Sequence, residues 1–154
     1  MKNLKFIPLI LVLSPVSFLA NSTNIYADIQ VTDIAPTKDF IWQRKNPQTP
    51  LYPIDFASSG TQGCAVLSFD ISPAGKTENV DILHSVPNRR VGIYSRKMLK
   101  KWQWVPVAPA GSLAAPAVQP AEEKRTLRLD FCMGGESVAQ AEQACKQRVQ
   151  LACS

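Results

Sequence analysis

Four cysteines and a single histidine are the side chains best suited to chemistry in this sequence of 154 residues. Cys64, Cys132, Cys145 and Cys153 follow no zinc-site spacing, so no metal is expected. His84 is the only histidine, and a general base needs a positioned partner that the sequence does not supply, so it reads as structural. Ser58, Ser59, Ser85 and Ser95 lie in no nucleophile-elbow pattern. Asp70 and Asp130 have no acid–base partner that the pattern identifies. With no nucleophile, acid–base pair or metal set, the chain reads as a non-enzyme without a cofactor. The alternative, a small-molecule enzyme, lacks the residues that would perform it.

The cysteines are then structural, and the N-terminus says where they oxidise. Lys2 and Lys5 precede a nearly continuous apolar stretch from Phe6 to Ala20, and small residues follow near Ala20–Ser22 and Ile25–Ala27. This is a secretory signal peptide over residues 1–27, implying a periplasmic chain. The apolar run falls short of the roughly 20 residues that span a membrane, and Pro8 and Pro15 interrupt it. An uncleaved inner-membrane anchor is the alternative, and membrane contact is expected only in that case. Removing Lys2 and Lys5 lowers the formal charge from +5 to +3. The basic residues do not group with aromatics, so nucleic acid is not an expected partner. In an oxidising compartment all four cysteines should pair.

The elements that must position these residues follow from periodicity. Asp28 to Asn46 reads as an irregular lead-in, with Ile34, Phe40, Ile41 and Trp42 able to pack on the domain. Pro53 suits the start of a short helix over Ile54–Ala57, ended by Gly60 and Gly63. Cys64 to Ile71 alternates as a half-buried strand, with Ala65, Leu67, Phe69 and Ile71 inward. Ser72-Pro73-Ala74-Gly75 is a turn, with Gly75 fitted to a positive φ, and Asn79 to Ser85 is the returning strand, with Val80, Ile82 and His84 on the inward parity. Val91 to Trp104 has helical spacing, with Trp102 on the apolar side, Arg96, Lys97, Lys100 and Lys101 on the wet side, and Pro106 as the stop. Val105 to Gln119, rich in Pro and Ala, is a loop. Leu127, Leu129, Phe131 and Met133 alternate with Arg128, Asp130 and Cys132 in a third strand from Thr126. A final helix follows within residues 134–154.

The expected fold is α+β: a three-stranded antiparallel or mixed sheet in the order 2-1-3, packed on one side by helices. A right-handed helical crossover makes the third strand antiparallel to the first and leaves it at the sheet edge. Cys64 opens the first strand and Cys132 closes the third on the same face. Three pairings are open; the pattern favours Cys64–Cys132 and, by elimination, Cys145–Cys153. Cys145 and Cys153 are about 12 Å apart along one straight helix, so that helix must end before Cys153.

Several stretches resemble, in order, the carboxy-terminal domain of the TonB energy-transducer family. They are Pro50-Leu51-Tyr52-Pro53, Gln62-Gly63, Phe69 to Gly75, Asn79 to Ser85, Met98 to Pro106 and Leu127 to Met133. The resemblance covers about residues 47–133, with Pro53, Gly63, Gly75, Trp102 and Pro106 in its structural positions. It implies a protein- or peptide-binding module of the cell envelope that takes an extended segment, such as that of a TonB-dependent receptor, by strand addition. The residues it assigns to binding are Lys45, Asn46, Thr49, Leu51 and Tyr52, and Thr126, Leu127, Arg128, Leu129 and Asp130 of the edge strand. The alternative it offers is a membrane-anchored transducer coupling proton-motive force to transport. Thr49 stands where the family usually has Gln, and the cysteines and final helix are additions.

Overall fold

The computed structural model describes residues 24–34, 41–107 and 121–153. The signal-peptide reading falls mainly on residues 1–23, which lie outside these, as do Phe40 and most of the Pro/Ala-rich loop. The elements are β1 (Ala27–Asp33), β2 (Trp42–Arg44), α1 (Ile54–Ser59), β3 (Gly63–Ile71), β4 (Thr77–Val86), α2 (Arg89–Leu99), β5 (Trp104–Pro106), β6 (Glu123–Met133) and α3 (Val138–Arg148).

The fold is α+β, but the sheet has four strands rather than three. Its order is β1-β6-β3-β4, and every neighbouring pair is antiparallel. The three strands read from the sequence hold the expected order. The fourth arises from the lead-in, which is not irregular. Ala27–Asp33 pairs along β6, and Trp42–Arg44 pairs with β5 in a separate two-stranded ladder. Strand β6 is therefore an inner strand. Leu129 faces Val31 on one side and Ala65 on the other.

The period-two alternation of β3 and β6 sends two sets of side chains to opposite faces. On the first face Leu67, Phe69, Ile71, Leu127, Leu129 and Phe131 are buried with Ile29, Phe56, Val91 and Leu99. Helix α1 contributes Phe56, whose ring meets Phe131 at 5.4 Å and Tyr94 of α2 at 4.5 Å. Helix α1 starts after Pro53 and ends at Gly60 in the left-handed region. Helix α2 is capped by the Asn88 side chain, which accepts from Arg90 N.

Helices occupy both faces, not one. Helix α3 packs on β1 and β6. It lies over the face that carries Arg128, Asp130 and Cys132. Its first turn is capped by Ser137, whose hydroxyl accepts from Gln140 N. The disulfides are Cys64–Cys153 and Cys132–Cys145, which replace the expected pairing. The register explains the difference. Cys64 lies opposite Asp130, so Cys132 is two residues further along. Diagonal neighbours of that kind are about 7–8 Å apart, beyond the reach of a bridge. Cys132 instead takes Cys145 of α3, and the chain folds back past α3 to bring Cys153 to Cys64.

Two glycines are required by close approach. A Cβ on Gly63 would sit 2.0 Å from the carbonyl oxygen of Val86. Gly75, at φ +71°, closes the β3–β4 turn, and a Cβ there would sit 2.2 Å from the Trp104 carbonyl oxygen. Helix α2 stops at Leu99, earlier than its apolar spacing indicates. Gln103 bridges to Lys76 and Trp104 N donates to Gly75 O at 2.8 Å, so residues beyond Lys101 are drawn toward the sheet. Trp102 consequently sits after the helix and only half-buried, and Pro106 lies in β5. His84 is exposed rather than inward, because a register shift opposite Val66 and Leu67 breaks the alternation of β4.

Candidate functional site

Strands β2 and β5 are short, yet they place the segment after β2 against the turn after α2. Their ladder pairs Arg44 with Trp104, and Lys45 N donates to Gln103 O at 2.8 Å. Between the two segments lies an open groove of about 610 Å³ lined by Arg44, Lys45, Asn46, Thr49, Leu51 and Trp102, with Lys101 and Gln103 at its border. Four residues assigned by resemblance, Lys45, Asn46, Thr49 and Leu51, thus share one wall.

Arg44 shapes that wall. Its guanidinium lies over the Trp102 ring, 4.4 Å from the centroid, and donates to the carbonyls of Pro47 and Gln48. Asn46 Oδ1 accepts from Gln48 N at 3.3 Å. One cation thereby holds the 46–48 turn against an aromatic floor. Burial lowers the pKa of Arg44, opposed by the nearby Asp33 carboxylate. Sequence reasoning missed Arg44, because a lone arginine in an apparent lead-in carries no periodic signal. Leu51 is 91 % exposed, so a large apolar side chain projects at the groove.

Tyr52 does not line the groove. Its hydroxyl donates to Thr61 O at 2.6 Å and its ring meets Phe131 edge-on. Burial pushes its pKa up to about 12, with the Arg148 charge pulling the other way. Trp104 and Trp42, not Trp102, are the enclosed tryptophans. Trp104 stacks on Phe69 at 5.5 Å and its indole N–H donates to Thr77 Oγ1 at 2.8 Å.

The β6 residues assigned to binding are otherwise engaged. Leu127 and Leu129 are core, and β6 is paired on both sides through Thr126 to Asp130. Arg128 donates through Nε and Nη2 to both oxygens of Asp130, which is fully buried. The same guanidinium donates to the carbonyls of Arg148 and Leu151 at the end of α3. The expectation that β6 is a free receiving edge is therefore overturned. The physical reason is that β1 supplies the missing neighbour.

The arrangement offers a cationic, partly apolar groove next to a sheet, suited to holding an extended chain. Among the described residues no group of three or more His, Cys, Asp or Glu is placed to hold a metal ion.

The family described as the Gram-negative bacterial TonB protein C-terminal matches residues 48–120. A solved structure, the solution NMR structure of the Pseudomonas aeruginosa TonB CTD, is 22 % identical, with a TM-score of 0.45. The alignment covers 65 % of this chain and 92 % of that one. A search of the curated proteins finds no match. Domains of the matched family are protein-interaction domains of the Gram-negative envelope that meet outer-membrane receptors, and they are not enzymes. Through the segment that holds one wall of the groove, both central hairpin strands and α2, this chain is similar to the TonB carboxy-terminal domain family.

Proposed function

We propose that this chain is a periplasmic binding module, exported by a cleaved signal peptide, that holds an extended segment of an envelope protein, a TonB-dependent receptor foremost. The observation that carries the reading is the groove itself. Lys45, Asn46, Thr49 and Leu51 gather on one wall against Trp102, and Leu51 stands almost wholly in solvent. An exposed leucine beside an aromatic floor is the composition of a recognition surface rather than of a core. Complete pairing of the cysteines fits an oxidising compartment.

The test is site-specific photo-crosslinking in a living Gram-negative cell, with a photoreactive side chain at position 51. The expected adduct joins the domain to a periplasm-facing segment of an outer-membrane receptor, and Trp102→Ala diminishes it. Adducts confined to other proteins, or a receptor adduct indifferent to Trp102→Ala, count against the groove.

A further inference from the structure

The two most exposed large apolar side chains among the described residues are Leu51, at 91 %, and Ile54, at 82 %. They stand close together in the chain, where it enters α1. Helix α1 turns Phe56 into the core. Side chains advance by about 100° per residue along a helix, so Ile54 points away from the core and Asp55 points sideways. There Asp55 accepts from the Tyr94 hydroxyl and lies 3.7 Å from Arg90 Nη2. Both partners belong to α2, so that helix flanks the outer face of α1.

Helix α2 presents a basic stripe to this side. Arg90, Tyr94, Lys97 and Lys101 recur at the spacing of one helical face. The chain keeps its helical turn as far as Lys101, whose N–H donates to Met98 O. Lys97 lies over the Tyr94 ring, 5.9 Å from its centroid. Lys101 and Leu51 border the groove together, with Arg44 and Lys45. The surface around the two aliphatic tips thus carries Arg44, Lys45, Arg90, Lys97 and Lys101. Its carboxylates are Asp55 beside Arg90 and Asp33 near Arg44. Lys45, Lys97 and Lys101 are exposed and form no ion pair among the described residues.

Neither signal is strong by itself. Two aliphatic tips bury little area, and exposed lysines attract an anion only weakly. Together they have the composition that holds a protein on an anionic bilayer. Branched side chains enter the boundary between headgroups and acyl chains, lysine stems lie along it, and the ammonium groups meet lipid phosphates.

We infer that the face formed by the start of α1 and the Arg90–Lys101 stripe of α2 docks on a bilayer containing anionic phospholipid, with Leu51 and Ile54 entering the headgroup boundary. The inference goes beyond the groove reading, because Ile54, Arg90 and Lys97 do not line the groove. Docking places the groove, which shares Leu51 and Lys101 with this face, at the membrane surface.

The experiment uses the oxidised soluble protein recovered from the periplasm. It is sedimented with vesicles of phosphatidylethanolamine and phosphatidylglycerol in a three-to-one ratio, and with vesicles of phosphatidylcholine alone. The expected result is co-sedimentation with the first and not with the second, weakened by added salt. Reversing two charges, in Lys97→Glu with Lys101→Glu, lowers partitioning about tenfold or more. Ile54→Ala lowers it about threefold or more. Ile54→Trp adds emission that brominated acyl chains quench beyond the quenching seen in the parent.

Absence of co-sedimentation with the anionic vesicles overturns the proposal. So does binding that is indifferent to Ile54→Ala and unquenched in Ile54→Trp, which is attraction to charge alone. Binding of soluble polyglutamate in place of vesicles assigns the stripe to an acidic protein and overturns it too. No vesicle binding with the receptor adduct at position 51 intact rejects the docking face and leaves the groove reading standing. Vesicle binding with no receptor adduct does the reverse.

Discussion

Arg128 grips Asp130 through two parallel hydrogen bonds of 2.8 and 2.7 Å, and the same guanidinium reaches the carbonyls of Arg148 and Leu151. One buried ion pair thus joins β6 to the end of α3. Removing one partner leaves a buried charge unmatched, which typically costs about 3–5 kcal/mol. Asp130→Asn keeps the shape but not the charge and is expected to lower unfolding stability by about that amount. Equilibrium denaturation of the oxidised protein measures it. A loss below about 1 kcal/mol would mean that the pair is solvated in solution.

The disulfides give a prediction that needs no assay of function. Proteolysis of unreduced protein should release one linked peptide pair containing Cys64 and Cys153 and another containing Cys132 and Cys145. Loop-closure entropy makes the first worth about 4.5 kcal/mol for a separation of 89 residues and the second about 3 kcal/mol for 13. Paired Cys→Ser substitutions, compared by chemical denaturation, should fall in that order. A linked Cys64–Cys132 pair in the digest contradicts the register of β3 and β6.

Gly63 opens β3 where the Val86 carbonyl and the Pro87 ring close over it. Gly63→Ala forces a methyl into backbone rather than into a movable side chain. A destabilisation of about 2–3 kcal/mol is expected, read as a lower midpoint at unchanged denaturant slope. Gly60→Ala is the informative comparison, because space there is open and only the positive φ opposes it. Its cost should be about 1 kcal/mol.

Tyr52 gives an alkaline signature. Burial raises its pKa to about 12 in the folded protein, against 10.0 for the free side chain. Below pH 10 both states hold the proton, and the contribution to stability is fully present. Between pH 10 and 12 the unfolded chain releases the proton and the folded one keeps it, so stability falls as pH rises through that window. Tyrosinate absorbance should show a late-titrating group that Tyr52→Phe removes, beside Tyr94, whose hydrogen bond to Asp55 also raises its pKa. Tyr52→Phe should flatten that part of the decline, while costing about 1 kcal/mol at neutral pH through the lost bond to Thr61 O. An unchanged alkaline profile in Tyr52→Phe would assign the decline to another group.

The strands β3, β4 and β6 were legible because their pattern is local. Alternation of Ala65, Leu67, Phe69 and Ile71 around the Ser72–Gly75 turn specifies a hairpin without reference to distant residues. Strand β1 was not legible. Ile29 and Val31 alternate only twice between polar neighbours, and such a short strand forms only because β6 is there to pair with it. The same applies to β2, which is three residues long and exists through β5. Arg44 therefore had no visible role, and β6 looked like an edge.

The order of β3, β4, α2, β6 and α3 and the parity that puts Cys64 and Cys132 on one face were set by the chain's own periodicity, and the segment from Lys45 to Leu51 was singled out only through its resemblance to a family. Which cysteines meet, which strand lies outermost, and whether Arg128 and Asp130 face solvent were decided only by the tertiary fold. The reason is physical. Periodicity carries information over a few residues, whereas a bridge, an edge or a buried ion pair depends on the register between segments far apart in sequence. A two-residue offset between β3 and β6 was enough to redirect both disulfides.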